Sequence, residues 1–81
     1  MRDEARELLL VGRPLCDLCA DLAAQLDALG RPYRLVDVDS ASSLAARYGA
    51  RIPVLLEGER ELCAGPIATP LLEATLRRNG W

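Results

Sequence analysis

The sequence contains no histidine and no phenylalanine, and it has only three cysteines among its 81 residues. Zinc sites in proteins are built mainly from cysteine and histidine, so the lack of histidine leaves few ways to complete one. An odd number of cysteines also argues against the disulfide framework that small secreted domains use. Structural cross-linking is therefore not expected, and the third cysteine, Cys63, is expected to be a small buried residue of a strand.

A large charge of one sign is also missing. Ten basic and twelve acidic residues give a formal net charge of −2, and the two kinds are interspersed along the chain. There is no basic run that would neutralise a phosphate backbone, and few aromatic residues are available to stack on bases. We therefore expect no nucleic-acid partner.

Long hydrophobic runs are absent as well. The run Leu8–Val11 is too short for the core of a signal peptide or for a membrane span. We expect no membrane association and a cytoplasmic location, where a close cysteine pair usually serves redox or metal chemistry. A chain of this length has room for one core, so residues 1–81 are predicted to form a single domain.

The first half of the chain predicts a β-α-β unit. The run Leu8–Val11, ended by Gly12, fits a strand buried on both faces. A helix should follow, with core-facing leucines spaced by four, four and three residues: Leu18, Leu22, Leu26 and Leu29. Gly30 is a typical helix end, and Tyr33–Val38 has the residues of a second strand.

The second half predicts a helix, a hairpin and a last helix. Asp39 or Ser40 is expected to cap the first of these helices. Two short strands and a capping threonine follow: Ile52–Leu56, Glu61–Ala64 and Thr69. The order β-α-β-α-β-β-α predicts an α/β fold with a four-stranded mixed sheet flanked by three helices.

Cys16 and Cys19 lie where the first strand gives way to the first helix. Free backbone N–H groups and the positive end of the helix dipole stabilise a thiolate there, and the thiolate is the reactive species. Cys16 is expected to be the exposed nucleophile, and Cys19 lies near enough to close a small disulfide ring. Arg13 would favour the thiolate of Cys16, whereas Asp17 would oppose it.

Two other interpretations of the cysteine pair stay open. In the first, Cys16, Cys19 and Cys63 together carry a metal ion, and a closed site then needs a carboxylate or a second subunit as a further ligand. Alternatively, the pair consists of two ordinary core cysteines on one helix. The position after a strand in a β-α-β unit favours redox use, and no metal site is predicted.

Residues 13–19 read RPLCDLC, which resembles the active-site stretch of glutaredoxins, where a basic residue stands three positions ahead of a C-x-x-C pair. Residues 51–54, RIPV, are similar to the cis-proline segment that opens the third strand of that family. The likeness runs from Leu8 to Leu76. It is strongest to the small bacterial glutaredoxin-like proteins of the thioredoxin-fold superfamily.

This resemblance implies a thioredoxin-like fold and a thiol–disulfide oxidoreductase activity. Cys16 would attack a disulfide, and Cys19 would resolve the mixed disulfide that results. Arg13, the backbone of Ile52 and a cis Pro53 would bind the substrate. That substrate would be a protein or low-molecular-weight disulfide, with glutathione as a co-substrate and no tightly bound cofactor.

The sequence departs from the glutaredoxin pattern at two places. Asp17 and Leu18 replace the usual proline and aromatic residue between the cysteines. The stretch at 62–67, LCAGPI, lacks the acidic residue that holds the amino end of glutathione. We therefore predict weak turnover with glutathione. The alternative function is a non-enzymatic thioredoxin-fold module that binds a partner or senses redox state through a reversible disulfide.

Overall fold

The computed structural model describes residues 6–81, which form alternating strands and helices. The elements are β1 (Leu8–Gly12), α1 (Asp17–Ala28), β2 (Arg34–Asp37), a 3₁₀ turn (Val38–Ser40), α2 (Ser42–Tyr48), β3 (Val54–Glu57), β4 (Arg60–Ala64) and α3 (Thr69–Arg78). The predicted order of strands and helices is confirmed. Within residues 6–81, every helix is too short or too polar to cross a bilayer.

The four strands form one mixed sheet in the order β2-β1-β3-β4. β1 pairs with β2 in parallel, with Leu10 opposite Leu35, and with β3 in antiparallel fashion, with Leu10 opposite Leu55. β3 and β4 form the predicted antiparallel hairpin. As a central strand covered on both faces, β1 has the unbroken apolar sequence expected of that position.

The core consists of two clusters, one on each face of the sheet. Leu8 and Leu10 pack with leucines of α1 and α3, whereas Val11 packs with residues of α2. Because successive side chains of a strand point to opposite faces, one strand contributes to both clusters. The helices therefore flank the sheet as predicted, with α1 and α3 on one face and α2 on the other.

The start of α2 differs from the prediction. Ala41 is its N-cap and makes no side-chain capping bond, so neither Asp39 nor Ser40 caps this helix. The chain first tightens into the 3₁₀ turn, which buries Val38 completely and is capped by Asp37. An Asp37 carboxylate oxygen accepts the backbone N–H of Asp39 at 2.9 Å.

The other two helices each differ from the prediction by one residue. The buried face of α1 runs through Cys19 instead of Leu18, which is 45% exposed. The N-cap of α3 is Ala68, so Thr69 is the first helical residue and not the cap. In both helices, the local sequence pattern alone does not fix these positions to the residue.

Candidate functional site

The dithiol lies at the junction of β1 and α1. Cys16 is the N-cap of α1, with an extended backbone (φ −99°, ψ 111°), and its Sγ accepts the backbone N–H of Cys19 at 3.2 Å. The two cysteines are joined as a disulfide, with their Cα atoms 5.2 Å apart. Cys16 is half-buried, whereas Cys19 is only 8% exposed. Cys16 is therefore the more accessible of the two cysteines.

Gly12, the last residue of β1, makes room for the inner cysteine. A β-carbon at residue 12 would lie 2.9 Å from the Sγ of Cys19, closer than such atoms pack. The glycine is itself buried. In the sequence, Gly12 is recognisable only as the residue that ends a strand. A glycine between an apolar strand and a C-x-x-C helix is the signal that would have pointed to this packing role.

Arg13 forms an ion pair with Asp39 beside the dithiol. Its Nε donates to one carboxylate oxygen at 2.8 Å and an Nη donates to the other at 3.3 Å. The hydrogen bond from Arg13 holds the pKa of Asp39 below its ordinary value. The charge of Arg13 is thus offset by a carboxylate. The helix N-terminus is left as the main group stabilising a thiolate at Cys16.

The Ile52–Pro53 segment lies at the same end of the sheet as the dithiol. Its peptide bond is cis, and Pro53 immediately precedes Val54, the antiparallel partner of Val11. Pro53 is buried, and its carbonyl accepts the backbone N–H of Gly65 at 2.7 Å. The segment is therefore attached to the loop between β4 and α3.

The arginine that precedes this segment is also paired. Arg51 forms a two-pronged salt bridge with Glu61 of β4, and one Nη donates to a carboxylate oxygen at 2.7 Å. The arginine that precedes the cysteine pair, Arg13, and the one that precedes the proline segment, Arg51, are therefore each paired with a carboxylate. Neither guanidinium stands ready for a substrate carboxylate without giving up its present partner.

Cys63 is set apart from the dithiol. It lies half-buried in β4 opposite Leu55, and burial, assisted by the charge of Glu61, raises the pKa of its thiol. A raised pKa leaves less of the reactive thiolate near neutral pH. No three histidine, cysteine, aspartate or glutamate side chains within residues 6–81 stand close enough together to hold a metal ion.

Two cavities flank α1, and both cysteines of the dithiol line the first of them. The first, which we call the dithiol groove, measures about 300 Å³ and separates α1 from the exposed side of β2. Its walls include both sulfur-bearing residues, Arg13, Leu15 and Leu35. Ile52 and Pro53 are not among its lining residues. The structure thus brings Arg13, Cys16 and Cys19 together around one groove, with the proline segment outside it.

The second cavity, which we call the loop pocket, lies between α1 and the loop that follows β4. It measures about 290 Å³ and is lined by Gly65 and Pro66 on one side and Asp21 on the other. The loop itself contains no acidic residue, in agreement with the sequence. Asp21 of α1 lines the same pocket, and the sequence gives no sign of this because residues 21 and 66 become neighbours only through the fold.

The family model of the glutaredoxin-like domain (DUF836) matches residues 7–77. The chain belongs to this family. A search of curated proteins found no match.

Solved structures similar to this glutaredoxin-like domain include two bacterial proteins. The structural genomics target protein XcR50 from X. campestris is 33% identical with a TM-score of 0.78, over 88% of this chain and 96% of that one. Protein Ne2328 from Nitrosomonas europaea is 28% identical with a TM-score of 0.74, over 91% of this chain and 94% of that one.

A glutaredoxin from Archaeoglobus fulgidus shares the fold of this glutaredoxin-like domain at lower identity. It is 16% identical with a TM-score of 0.64, over 95% of this chain and 96% of that one. The predicted thioredoxin-like fold is confirmed by this likeness and by the family. Together with the C-x-x-C spacing of Cys16 and Cys19, the family supports a thiol redox role for the domain.

Proposed function

We propose that this glutaredoxin-like domain is a cytoplasmic thiol–disulfide oxidoreductase in which Cys16 attacks and Cys19 resolves. One observation carries the proposal. The Sγ of Cys16 is at the N-cap of α1 and accepts a helix N–H, while Cys19 is buried behind it. A sulfur in that position is stabilised as a thiolate, which makes Cys16 the better nucleophile.

The exchange proceeds in two displacements. In the reduced protein, the Cys16 thiolate attacks one sulfur of a substrate disulfide, forms a mixed disulfide with it and releases the other sulfur as a thiolate. The Cys19 thiolate then attacks the Sγ of Cys16 and releases the second substrate thiolate. The substrate gains two electrons, and the protein is left with the Cys16–Cys19 disulfide.

A thiol reductant must return the protein to the dithiol state. We propose a low-molecular-weight thiol such as glutathione or a protein dithiol for this step, supplied by the reducing cytoplasm. The backbone of Ile52, the neighbouring Pro53 and Arg13 remain the proposed binding surface for the incoming disulfide. Arg13 would exchange its bond to Asp39 for one to the substrate.

A turnover assay with two substrates tests this proposal. The protein is supplied with dithiothreitol, and the reduction of a protein disulfide and of a glutathione mixed disulfide is followed separately. We expect turnover above the uncatalysed rate, complete loss in Cys16→Ser and an unaltered rate in the matched control Cys63→Ser. A disulfide that forms and breaks reversibly without any turnover would instead favour the non-enzymatic redox-sensing module.

A further inference from the structure

Two leucines at the dithiol groove are exposed to solvent. Leu15 is 103% exposed and Leu35 is 68% exposed, and both line the groove that also contains Cys16 and Cys19. Leu35 faces the same side of the sheet as its partner Leu10, but β2 is an edge strand and α1 does not reach over it. An apolar surface is therefore continuous with the reactive sulfur.

Leu15 is exposed at a conformational cost. Its φ of +64° lies in the left-handed region, which side chains other than glycine and asparagine seldom adopt. A glycine would relieve that strain, and a polar residue would suit the solvent. A leucine side chain in this position is energetically favourable only when an apolar group covers it and removes it from water.

The charges around the groove favour a cationic occupant. Asp39 offsets Arg13, while Asp37 lines the groove and Asp17 follows Cys16 directly. Within residues 6–81, neither Asp17 nor Asp37 belongs to an ion pair, although the Asp37 carboxylate caps the 3₁₀ turn and its charge also acts on Arg13. Glutathione carries two carboxylates and one ammonium group, so this acidic rim opposes it. A basic polypeptide would be attracted.

We propose that the dithiol groove binds the polypeptide part of a protein disulfide substrate. An aliphatic side chain next to the substrate cysteine would pack between Leu15 and Leu35, and a neighbouring basic residue would approach Asp37. The inference rests on the exchange chemistry proposed above and names its substrate class. Because Cys16 lines the groove, residues on one side of the substrate cysteine can lie over the two leucines, while the Ile52–Pro53 segment outside the groove contacts the other side.

Single-turnover oxidation of the prereduced protein tests this inference. Three probes are used: the disulfide-linked dimer of a short peptide containing Lys-Leu-Cys, the matched dimer containing Glu-Ser-Cys, and oxidised glutathione. The reaction is quenched with an alkylating agent, and mass spectrometry measures how much of the protein has formed the Cys16–Cys19 disulfide. We expect the Lys-Leu-Cys dimer to react at least about tenfold faster than the other two.

Variants locate the preference on the protein. Leu35→Gln, Leu15→Gln and Asp37→Asn should each reduce the rate ratio between the two peptides by several-fold. Leu71→Gln changes an exposed leucine on α3, and Glu59→Gln changes an exposed acid in the β3–β4 turn, so both should keep the ratio.

Three results would overturn the inference, and the third of them would also overturn the proposed function. A ratio near one in the unmodified protein contradicts the groove as a recognition site. So does a ratio that none of the three groove variants alters. If the protein reacts with none of the three disulfides, the proposed function itself fails and the inference fails with it.

Discussion

The position that a β-carbon would take at Gly12 lies 2.9 Å from the Sγ of Cys19 and 3.1 Å from its Cβ. The inner cysteine thus occupies space that any other residue at position 12 would fill. This contact places Cys19 beneath Cys16, at the end of the central strand, and keeps it nearly out of solvent. The roles proposed for the two sulfurs, Cys16 attacking and Cys19 resolving, would depend on this packing.

Gly12→Ala should therefore push Cys19 from its position. We expect the reduced protein to lose about 1–3 kcal/mol in its free energy of unfolding, as overpacked cores do. Resolution of the mixed disulfide should also slow. Denaturant titration and single-turnover kinetics measure the two effects.

Gly30→Ala is the control for Gly12→Ala. Gly30 has a φ of +69°, and a β-carbon there would meet nothing within 4 Å. The substitution therefore strains the backbone without touching the dithiol. The Gly30→Ala variant should lose stability but exchange at the normal rate. A Gly12→Ala protein that exchanges normally would contradict the role assigned to this contact.

Asp39→Asn should free Arg13 for an anionic substrate. At present the carboxylate of Asp39 offsets the guanidinium charge next to Cys16. We expect the variant to react with oxidised glutathione about two- to fivefold faster at low salt, with the gain shrinking as ionic strength rises. Glu59→Gln removes a negative charge without releasing Arg13 and should not show the effect. A slower reaction in Asp39→Asn would mean that the pair positions Arg13 instead of neutralising it.

Arg6 links the end of β3 to the end of the chain, and this link should be sensitive to acid. Its Nε donates to Glu57 at 2.7 Å, an Nη donates to the carbonyl of Asn79 at 2.8 Å, and its guanidinium lies 4.6 Å from the centre of the Trp81 ring. The bond from Arg6 lowers the pKa of Glu57 below its ordinary value of 4.5. The stabilisation is therefore complete above that value and is lost as pH falls through the lower, folded-state pKa.

Glu57→Gln tests this pH dependence. The unmodified protein should exceed the variant in free energy of unfolding near neutral pH, by less than about 1 kcal/mol because the pair is partly exposed. The difference should shrink toward pH 3. Denaturant titrations at several pH values provide the comparison. A difference that stays constant across this range would rule out ionised Glu57 as the source.

Pro66→Asp should improve glutathione turnover. A charge-assisted hydrogen bond from an ammonium group to a carboxylate is worth about 1.5–3 kcal/mol, so an acid in the loop should raise the rate roughly ten- to a hundredfold. Pro32→Asp, at an exposed turn away from the loop pocket, is the matched control. If the unmodified protein already turns over glutathione at the higher rate and Asp21→Asn abolishes that turnover, then Asp21 of α1 supplies the carboxylate. The prediction of weak turnover, which rests on the loop, would then be wrong.

The order of elements could be predicted because the hydrophobic patterns of β1 and of the helices are visible within each segment of sequence. The run Leu8–Val11 marks a strand covered on both faces, and residues such as Leu22, Leu26 and Leu72 repeat at helical spacing. The helix starts could not be predicted to the residue. Ala41 and Ala68 are N-caps without a side-chain capping bond, so no residue type in the sequence marks where these helices begin.

The cysteine pair could also be identified from sequence, but its surroundings could not. Arg13 and Asp39 are 26 residues apart and meet because β1 and β2 are parallel neighbours. Leu35 was predicted as an ordinary strand residue, and only the edge position of β2 leaves it exposed at the groove. Such relationships depend on which elements end up adjacent, and local patterns do not encode that information.

Trapping of the mixed disulfide tests the central claim most directly. Cys19→Ser, Cys16→Ser and Cys63→Ser proteins are each incubated in reduced form with a peptide disulfide, and the adducts are mapped by mass. In Cys19→Ser the nucleophile remains but the resolving thiol is gone, so we predict one peptide on Cys16 and a stable adduct. The Cys16→Ser protein should form none. An adduct on Cys63, or an adduct that forms as fast in Cys16→Ser as in Cys19→Ser, would contradict the assignment of Cys16 as the attacking residue.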